Sequence, residues 1–299
     1  MMCGMKKCGF VALIGRPNAG KSTLLNRLMG QKVSIVSDKP QTTRKRILGV
    51  LTSDEAQLIF VDTPGIHKPG HQLNRRMMNA VYEAVREVDL LLHMVDASER
   101  YGKGEEFAMQ LVKQSNKPSL LLLNKVDAIN KGKVLPQIEA WSERFPYLEI
   151  IPLSALKGDN VDVLMKKIAE NLPQSDFLYP EDYWTDQQER EMAAEIVREK
   201  VLAHTRKELP YTSAVSIESF DSSRRGEGFI HISAIIVVER LGQKKIVIGK
   251  GGRMIKVIGT EARKELQKLL DVPRLYLELN VKVVPGWRDQ QHLLTELGV

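Results

Sequence analysis

The chain has 299 residues, is 43% hydrophobic and 27% charged, and has a mean hydropathy of −0.23. That is too long for one average domain and suits two, with a boundary near the middle. No run approaches the roughly 20 consecutive apolar residues that a membrane-spanning helix needs, and a net charge of +7 with pI ≈ 9.2 admits an anionic partner, nucleic acid or a membrane surface.

At the start of the chain, Lys6 and Lys7 precede a short apolar run, 9–14, that meets Arg16 at once. It reads as a buried strand and not as a signal peptide. Cys3 and Cys8 lie close together at an end expected to fray, with no second pair for a zinc site or a disulfide framework. A reduced, cytosolic protein fits that usage.

Up to about residue 172, apolar runs at 10–14, 58–61, 90–95, 120–123 and 149–153 read as strands. Helical periodicity appears at 22–28, 77–88, 105–114, 135–144 and 161–171. The alternation predicts an α/β domain with a doubly wound, mostly parallel sheet, in which ligands gather at the carboxyl ends of strands.

The run 10–14 leads into Gly15-Arg16-Pro17-Asn18-Ala19-Gly20-Lys21-Ser22, with Thr23 next, satisfying GxxxxGK[ST] between a strand and a helix. A chance match is expected on the order of once per hundred chains of this length. Glycines let the loop wrap N–H groups around phosphate oxygens, the helix N-terminus adds its dipole, and Lys21 brings a cation to the β and γ phosphates. Ser22 offers a hydroxyl to Mg2+. Asp62-Thr63-Pro64-Gly65 follows the strand at 58–61, where a second carboxylate holds Mg2+ through water and the Gly65 N–H senses the γ-phosphate. Alone, such a DxxG turn is common.

Asn124-Lys125-Val126-Asp127 follows the strand at 120–123 and selects the base. The acceptor-only carboxylate of Asp127 takes two hydrogen bonds from the guanine N1–H and exocyclic amine, a pair adenine lacks. Asn124 is expected to brace the loops and the Lys125 stem to lie along the base. Ser154-Ala155-Leu156 follows the last of these strands, and the Ala155 N–H is expected at the guanine carbonyl oxygen.

These elements in this order resemble the translation-factor-like P-loop GTPases over the whole first domain. The resemblance implies a threonine between the first helix and second strand that closes on Mg2+ and the γ-phosphate. Pro40-Gln41-Thr42-Thr43-Arg44 fills that interval; Thr43 is assigned by its place before Arg44, and Thr42 is the alternative. Ile66 stands where Ras-like proteins carry a water-orienting Gln, so a slow hydrolysis is expected, leaning on Lys21, Thr43, the Gly65 N–H and something added. In GTPases with a similar GxPNxGKS loop the asparagine matching Asn18 helps bind an activating potassium ion; its other reading is an Asn that stabilises the turn.

Pro173 ends the alternating pattern, and 173–186 reads as an acidic linker between a GTPase domain at 1–172 and a second domain at 187–299. There a helix at about 187–206, a break at Pro210, strands near 212–220 and 229–238, a Gly-centred turn at 249–252, a helix to about 270, a strand at 275–284 and a short terminal helix describe a small α+β fold. Residues 240–268 hold nine Lys/Arg against two Asp/Glu. Within that block Gly249-Lys250-Gly251-Gly252 opens the helix, as in a KH domain, whose GxxG loop clamps about four nucleotides. Lys244, Lys245, Lys250, Arg253 and Lys256 are the candidate phosphate contacts. The order of strands and helices matches a type II KH domain.

PNAGKS, PQTTR, DTPG, NKVD and SAL ahead of GKGG resemble the Era family of GTPases across essentially the whole chain. The resemblance implies a molecular switch whose KH domain binds small-subunit (16S) ribosomal RNA near its 3′ end and which acts in 30S subunit assembly. A cytoplasmic monomer is expected, with peripheral association with the cytoplasmic face of the inner membrane. Two other classes are weighed. A membrane-surface signalling GTPase, whose KH-like domain docks a protein or lipid, lacks an amphipathic anchor or lipidation motif, since Cys3 has no such context. A metabolic phosphotransferase is opposed by Asn124-Lys125-Val126-Asp127.

Overall fold

Strands that read as unbroken apolar runs are those buried on both faces of a parallel sheet. The computed structural model describes residues 6–67, 70–205 and 209–298, and the chain divides into two units, Met1–Pro69 with Asn74–Asp186 and Gly70–Leu73 with Gln187–Val299.

In the first unit β1 (Lys7–Ile14), β2 (Ile47–Thr52), β3 (Ala56–Asp62), β4 (Leu90–Asp96), β5 (Ser119–Asn124) and β6 (Glu149–Pro152) form one sheet in the order β2-β3-β1-β4-β5-β6. All neighbours are parallel except β2 against β3. Helices α1 (Lys21–Met29) and α5 (Val161–Asn171) bury Leu24, Leu25, Leu164 and Ile168 against Val11, Leu13, Leu92 and Leu122 on one face. Helices α2 (Gln72–Glu87) and α3 (Lys103–Ser115) cover Ala12, Ile14 and Leu91 on the other, and α4 (Val134–Ser142) sets Trp141 against Leu121 and Leu123. The two-residue period of each strand thus feeds two cores, and each fully buried Leu or Ile contributes about 1.5–3 kcal/mol.

Three features of the first unit differ from the sequence reading. The antiparallel strand β2 was not among the apolar runs singled out. Cys8 is not frayed but sits in β1 with 2% exposure, and burial pushes its thiol pKa up; Cys3 lies outside the described residues. The acidic segment after Pro173 is laid along the sheet edge. Val50 N–H donates to the Trp184 carbonyl at 2.9 Å, Leu48 N–H to Asp186 Oδ1 at 3.2 Å, and Thr185 pairs with Gly49 in an antiparallel bridge. The backbone groups of β2 that would otherwise form an open edge are therefore occupied.

The second unit contains α6 (Glu189–His204), the single turn α7 (Leu209–Thr212), β7 (Ala214–Asp221), β8 (Phe229–Val238), α8 (Leu241–Ile248), α9 (Arg253–Leu269), β9 (Arg274–Val283) and α10 (Gln291–Glu296). Strand β8 is central, antiparallel to β7 and parallel to β9. Its alternate residues Ile230, Ile232, Ala234, Ile236 and Val238 are fully buried in a core shared with Val197 of α6 and Ile258, Ala262 and Leu266 of α9. Helix α6 starts at a capping box of Gln188 and Glu191. Helix α8 was not expected as a helix, because only Gln243 and Val247 of its eight residues are buried and its apolar residues follow no helical stripe. Among the described residues no helix is long and apolar enough to cross a membrane.

Candidate nucleotide site and RNA interface

Backbone crowding dictates the glycines of the loop after β1. Gly15 (φ +152°) and Gly20 (φ +105°) adopt angles that side chains rarely take, and a Cβ on them would lie 2.2 Å from the Met94 carbonyl oxygen and from Asn124 Nδ2. Helix α1 starts at Lys21 without a side-chain cap, so its leading N–H groups face the loop. Lys21 is 6% exposed and its Nζ donates to the carbonyls of Gly15 (3.1 Å) and Arg16 (3.0 Å). Burial lowers its pKa to about 8, against the pull of Asp62 and Glu105.

Asp62, at the end of β3, is fully buried. Its Oδ2 accepts from Ser22 Oγ at 2.8 Å, Ser34 Oγ at 3.0 Å and Thr43 Oγ1 at 3.4 Å, and Ser22 and Thr43 are themselves 3.0 Å apart. Among the described residues Asp62 Oδ1 has no hydrogen-bond partner. Burial raises the carboxyl pKa, with Lys21 and the three hydroxyls opposing. An orphaned buried carboxylate oxygen beside converging hydroxyls is an all-oxygen donor set of the kind a hard divalent cation takes, so these residues fit Mg2+. Thr42, which also lines this site, donates through Oγ1 to the Lys39 carbonyl at 2.6 Å.

A cavity of about 300 Å³ opens here, lined by Pro17, Asn18, Lys21, Thr23, Thr43 and Lys125 among others. Asn18 Nδ2 donates to the Asp38 carbonyl at 2.7 Å, tying the loop to the segment that carries Thr43. Gly65 packs so closely that a Cβ would lie 2.7 Å from Pro17 Cα. Thr63 Oγ1 donates to the Leu13 carbonyl at 2.7 Å, and the N–H after Gly65 and Pro64, that of Ile66, donates to the Gly15 carbonyl at 3.0 Å. The Ile66 side chain is 3% exposed and packs in the core, away from the cavity.

At the end of β5, Asn124 Nδ2 donates to the Ala19 carbonyl at 2.7 Å while its Oδ1 accepts the Ala155 N–H at 2.9 Å. One side chain thus joins the loop after β1 to the loop after β6. The Ala155 N–H, expected at a guanine carbonyl oxygen, donates to Asn124 Oδ1 in this structure. Lys125 (φ +63°) pairs with Asp96 at 2.6 Å, and half-buried Asp127 sits on the 3-10 turn Val126–Ala128 that follows. Ser154 is fully buried; Leu156 is exposed.

Three residues that no motif marked complete this arrangement. Ser34 supplies a third hydroxyl to Asp62. Asp96 anchors Lys125. Arg27 of α1 donates through Nε to the Ala155 carbonyl at 2.8 Å and through Nη2 to the Leu156 carbonyl. Asp96 alone had a signal, its place at the carboxyl end of β4.

In the second unit α8 and α9 meet at the glycine turn. Gly249, Gly251 and Gly252 have φ of +74°, +59° and +76°; a Cβ on Gly249 would lie 2.8 Å from Met254 N, whereas Gly251 and Gly252 face open space. A phosphodiester chain can therefore approach the N-terminus of the 17-residue α9. Lys245, Lys250, Arg253 and Lys256 are exposed and Lys244 half-buried. Among the described residues none of the five is held in an ion pair. Ile258, at helical spacing from Ile255, is core.

Comparison with known proteins agrees with both halves. A family described as 50S ribosome-binding GTPase matches residues 10–125, and a KH domain family matches residues 208–288. The chain is 47% identical to GTPase Era of Geobacter metallireducens over 292 residues, 98% of this chain and 97% of that one. Two crystal structures match at 44% identity, each over 98% of this chain and 99% of the other. One is Era in complex with MgGDPNP and nucleotides 1506–1542 of 16S ribosomal RNA, at a TM-score of 0.95. The other is an Era variant from Aquifex aeolicus bound to GDP and aluminium tetrafluoride, at 0.93. On these grounds the chain belongs to the Era family of GTPases.

Proposed function

We propose that this GTPase is a slow switch whose nucleotide state controls how its second domain holds small-subunit ribosomal RNA near the 3′ end during 30S assembly. The observation that carries the proposal is the open glycine turn at 249–252 on the N-terminus of α9, flanked by five basic side chains, in a chain whose 44%-identical relative was crystallised with nucleotides 1506–1542 of 16S RNA. The division of labour assigns nucleotide to residues 1–172, connection to 173–186 and RNA to 187–299.

In the first domain Gly15 to Thr23 cradle the phosphates with backbone N–H groups, and Lys21 binds the β and γ phosphates. Burial disfavours the charge of Lys21, and the phosphate anions would favour it again. Ser22, Thr43 and Asp62 would hold Mg2+, which supplies charge neutralisation at the β and γ phosphates when bound. Thr63 and Pro64 fix the turn so that the Gly65 N–H faces the γ-phosphate. Asp127 reads the guanine edge, Lys125 covers the base, and Ser154, Ala155 and Leu156 close its far side, held by Asn124. The Ile66 side chain has no polar atom and is turned into the core, so it orients no water and the intrinsic rate is low. Asn18 Oδ1 is the atom that would ligate a potassium ion, while its Nδ2 keeps the loop in place. Turnover in potassium against sodium for wild type and Asn18→Ala tests that role, and equal rates throughout reject it.

Lys244, Lys245, Lys250, Arg253 and Lys256 meet RNA phosphates around Gly249, Gly251 and Gly252, which gives a salt-dependent affinity. A monomer with peripheral association with the inner membrane completes the proposal. The test is a titration with the 3′-terminal segment of 16S RNA. Lys250→Asp with Gly251→Asp is expected to abolish binding and leave GTP affinity unchanged, and undiminished RNA binding refutes the KH assignment. If anionic vesicles bind and RNA does not, the membrane-signalling reading replaces it.

A further inference from the structure

Helix α1 carries an asparagine in its interior, at position 26, where Asn is a poor helix former because its amide competes for backbone partners. Here that amide engages the chain returning after the helix. Asn26 Oδ1 accepts the N–H groups of both Val33 and Ser34 at 2.8 Å, and Nδ2 donates to the Ser34 carbonyl at 2.7 Å. Residues 30–46 form no helix or strand, so the buried backbone at Val33 and Ser34 has no ladder to join, and one side chain serves three of its polar groups.

What this clamp fixes is a hydroxyl. Ser34 Oγ donates to Asp62 Oδ2 at 3.0 Å, and both residues are buried. Ser34 and Thr43 thus meet one carboxylate oxygen from the two ends of the segment 34–43, most of which lines the nucleotide cavity. The Ser34 contact is the shorter, and its backbone is the one tied to α1. With Ser22, three hydroxyls converge on Oδ2 and leave Oδ1, which has no hydrogen-bond partner among the described residues, as the oxygen that faces a cation's shell. Carboxylates that serve a metal are oriented by such outer bonds, and loss of an outer partner lowers metal affinity roughly 10–100-fold.

We infer that Asn26 is a positioning residue for the Mg2+ site: by clamping the backbone at 33–34 it holds the Ser34 hydroxyl on Asp62 and so fixes the carboxylate that serves the cation. Asn26 does not line the cavity and acts through Ser34. The inference rests on the assignment of Ser22, Thr43 and Asp62 to Mg2+ above.

The test follows release of a fluorescent GDP analogue against Mg2+ concentration, with amide exchange on the same full-length proteins in chelator. Asn26→Ala is expected to raise the Mg2+ concentration that half-maximally slows release about tenfold. Release in chelator should stay as in wild type, while protection of the Val33 and Ser34 N–H groups is lost. Ser34→Ala keeps the backbone clamp, so it should raise the midpoint similarly with that protection intact. The double variant should rise little beyond either single change, because both act on one path. Asn26→Asp, which keeps the acceptor and loses the donor, should lie between wild type and Asn26→Ala. A wild-type midpoint in Asn26→Ala overturns the inference, as does a double variant in which the two effects multiply to about a hundredfold. If Asn26→Ala does not fold, Asn26→Asp with and without Ser34→Ala makes the same comparison, and a wild-type midpoint in Asn26→Asp or multiplied effects again overturn it. Wild-type release that ignores Mg2+ would instead refute the Mg2+ site itself.

Discussion

Arg27, on the helix that follows the phosphate loop, donates through Nε to the carbonyl of Ala155, 128 residues away, at 2.8 Å. It spans from the phosphate end of the site to the base end, and lysine cannot reproduce its forked contact to two carbonyls. Hydrogen bonds from a charged donor contribute about 1.5–3 kcal/mol. Arg27→Ala is therefore expected to weaken GDP and GTP binding about tenfold, with kcat at saturating GTP little changed, and Arg27→Lys to recover only part. Fluorescent-nucleotide titration with single-turnover hydrolysis separates the two quantities.

On the proposed base contact, Asp127→Asn puts a donor where the carboxylate accepted. Preference should move from guanine to xanthine nucleotides, and a site built on such pairing discriminates by roughly 10⁴ or more. Competition between GTP and XTP for the variant reads this directly; a variant that still strongly prefers GTP contradicts the base assignment.

Asp62→Asn keeps the shape of the buried side chain and removes its charge. The hydroxyls of Ser22, Ser34 and Thr43 then face a neutral amide where they had a carboxylate, and the divalent-cation dependence of GTP affinity should fall sharply. GDP affinity measured with a chelator should change little. A variant whose magnesium dependence matches wild type would place the cation elsewhere.

His93 in β4 is fully buried, with Nδ1 2.7 Å from the Tyr147 hydroxyl, and burial, reinforced by Lys21, pushes its pKa down to about 3. The unfolded chain protonates this histidine near its ordinary pKa of about 6.5 while the folded chain does not. Stability from the neutral side chain is therefore complete above that pH and is lost as pH falls toward 3, by up to about 1.4 kcal/mol per pH unit. His93→Gln should be less stable at neutral pH but show a shallower decline between pH 6.5 and 4 in urea denaturation. Equal slopes would refute the titration.

Much of the site was legible because its residues stand in short runs at strand ends: Gly15 to Ser22 after β1, Asp62 to Gly65 after β3, Asn124 to Asp127 after β5. Local spacing there dictates geometry. Ser34 and Arg27 were not legible, since each acts across a long chain separation and lies in a stretch that reads as ordinary helix or loop. Strand β2 was hidden by Gly49 in its middle and by the polar segment before it, and its pairing with Thr185 depends on a tertiary contact. Helix α8 buries too little for a pattern to show. Asn124 is intermediate: a bracing role was expected, but the side chain also takes the Ala155 N–H, a contact visible only once the loops after β1, β5 and β6 are folded together.

The central claim is that guanine nucleotide governs an RNA-holding second domain. Crosslinking of the intact protein to cellular RNA, with GTP and with GDP, tests it most directly. Enrichment of the 3′ end of 16S RNA that differs between the two nucleotides and disappears in Lys250→Asp with Gly251→Asp is the predicted result. Crosslinks that are absent, or spread over RNA without regard to nucleotide or to the glycine turn, would contradict it.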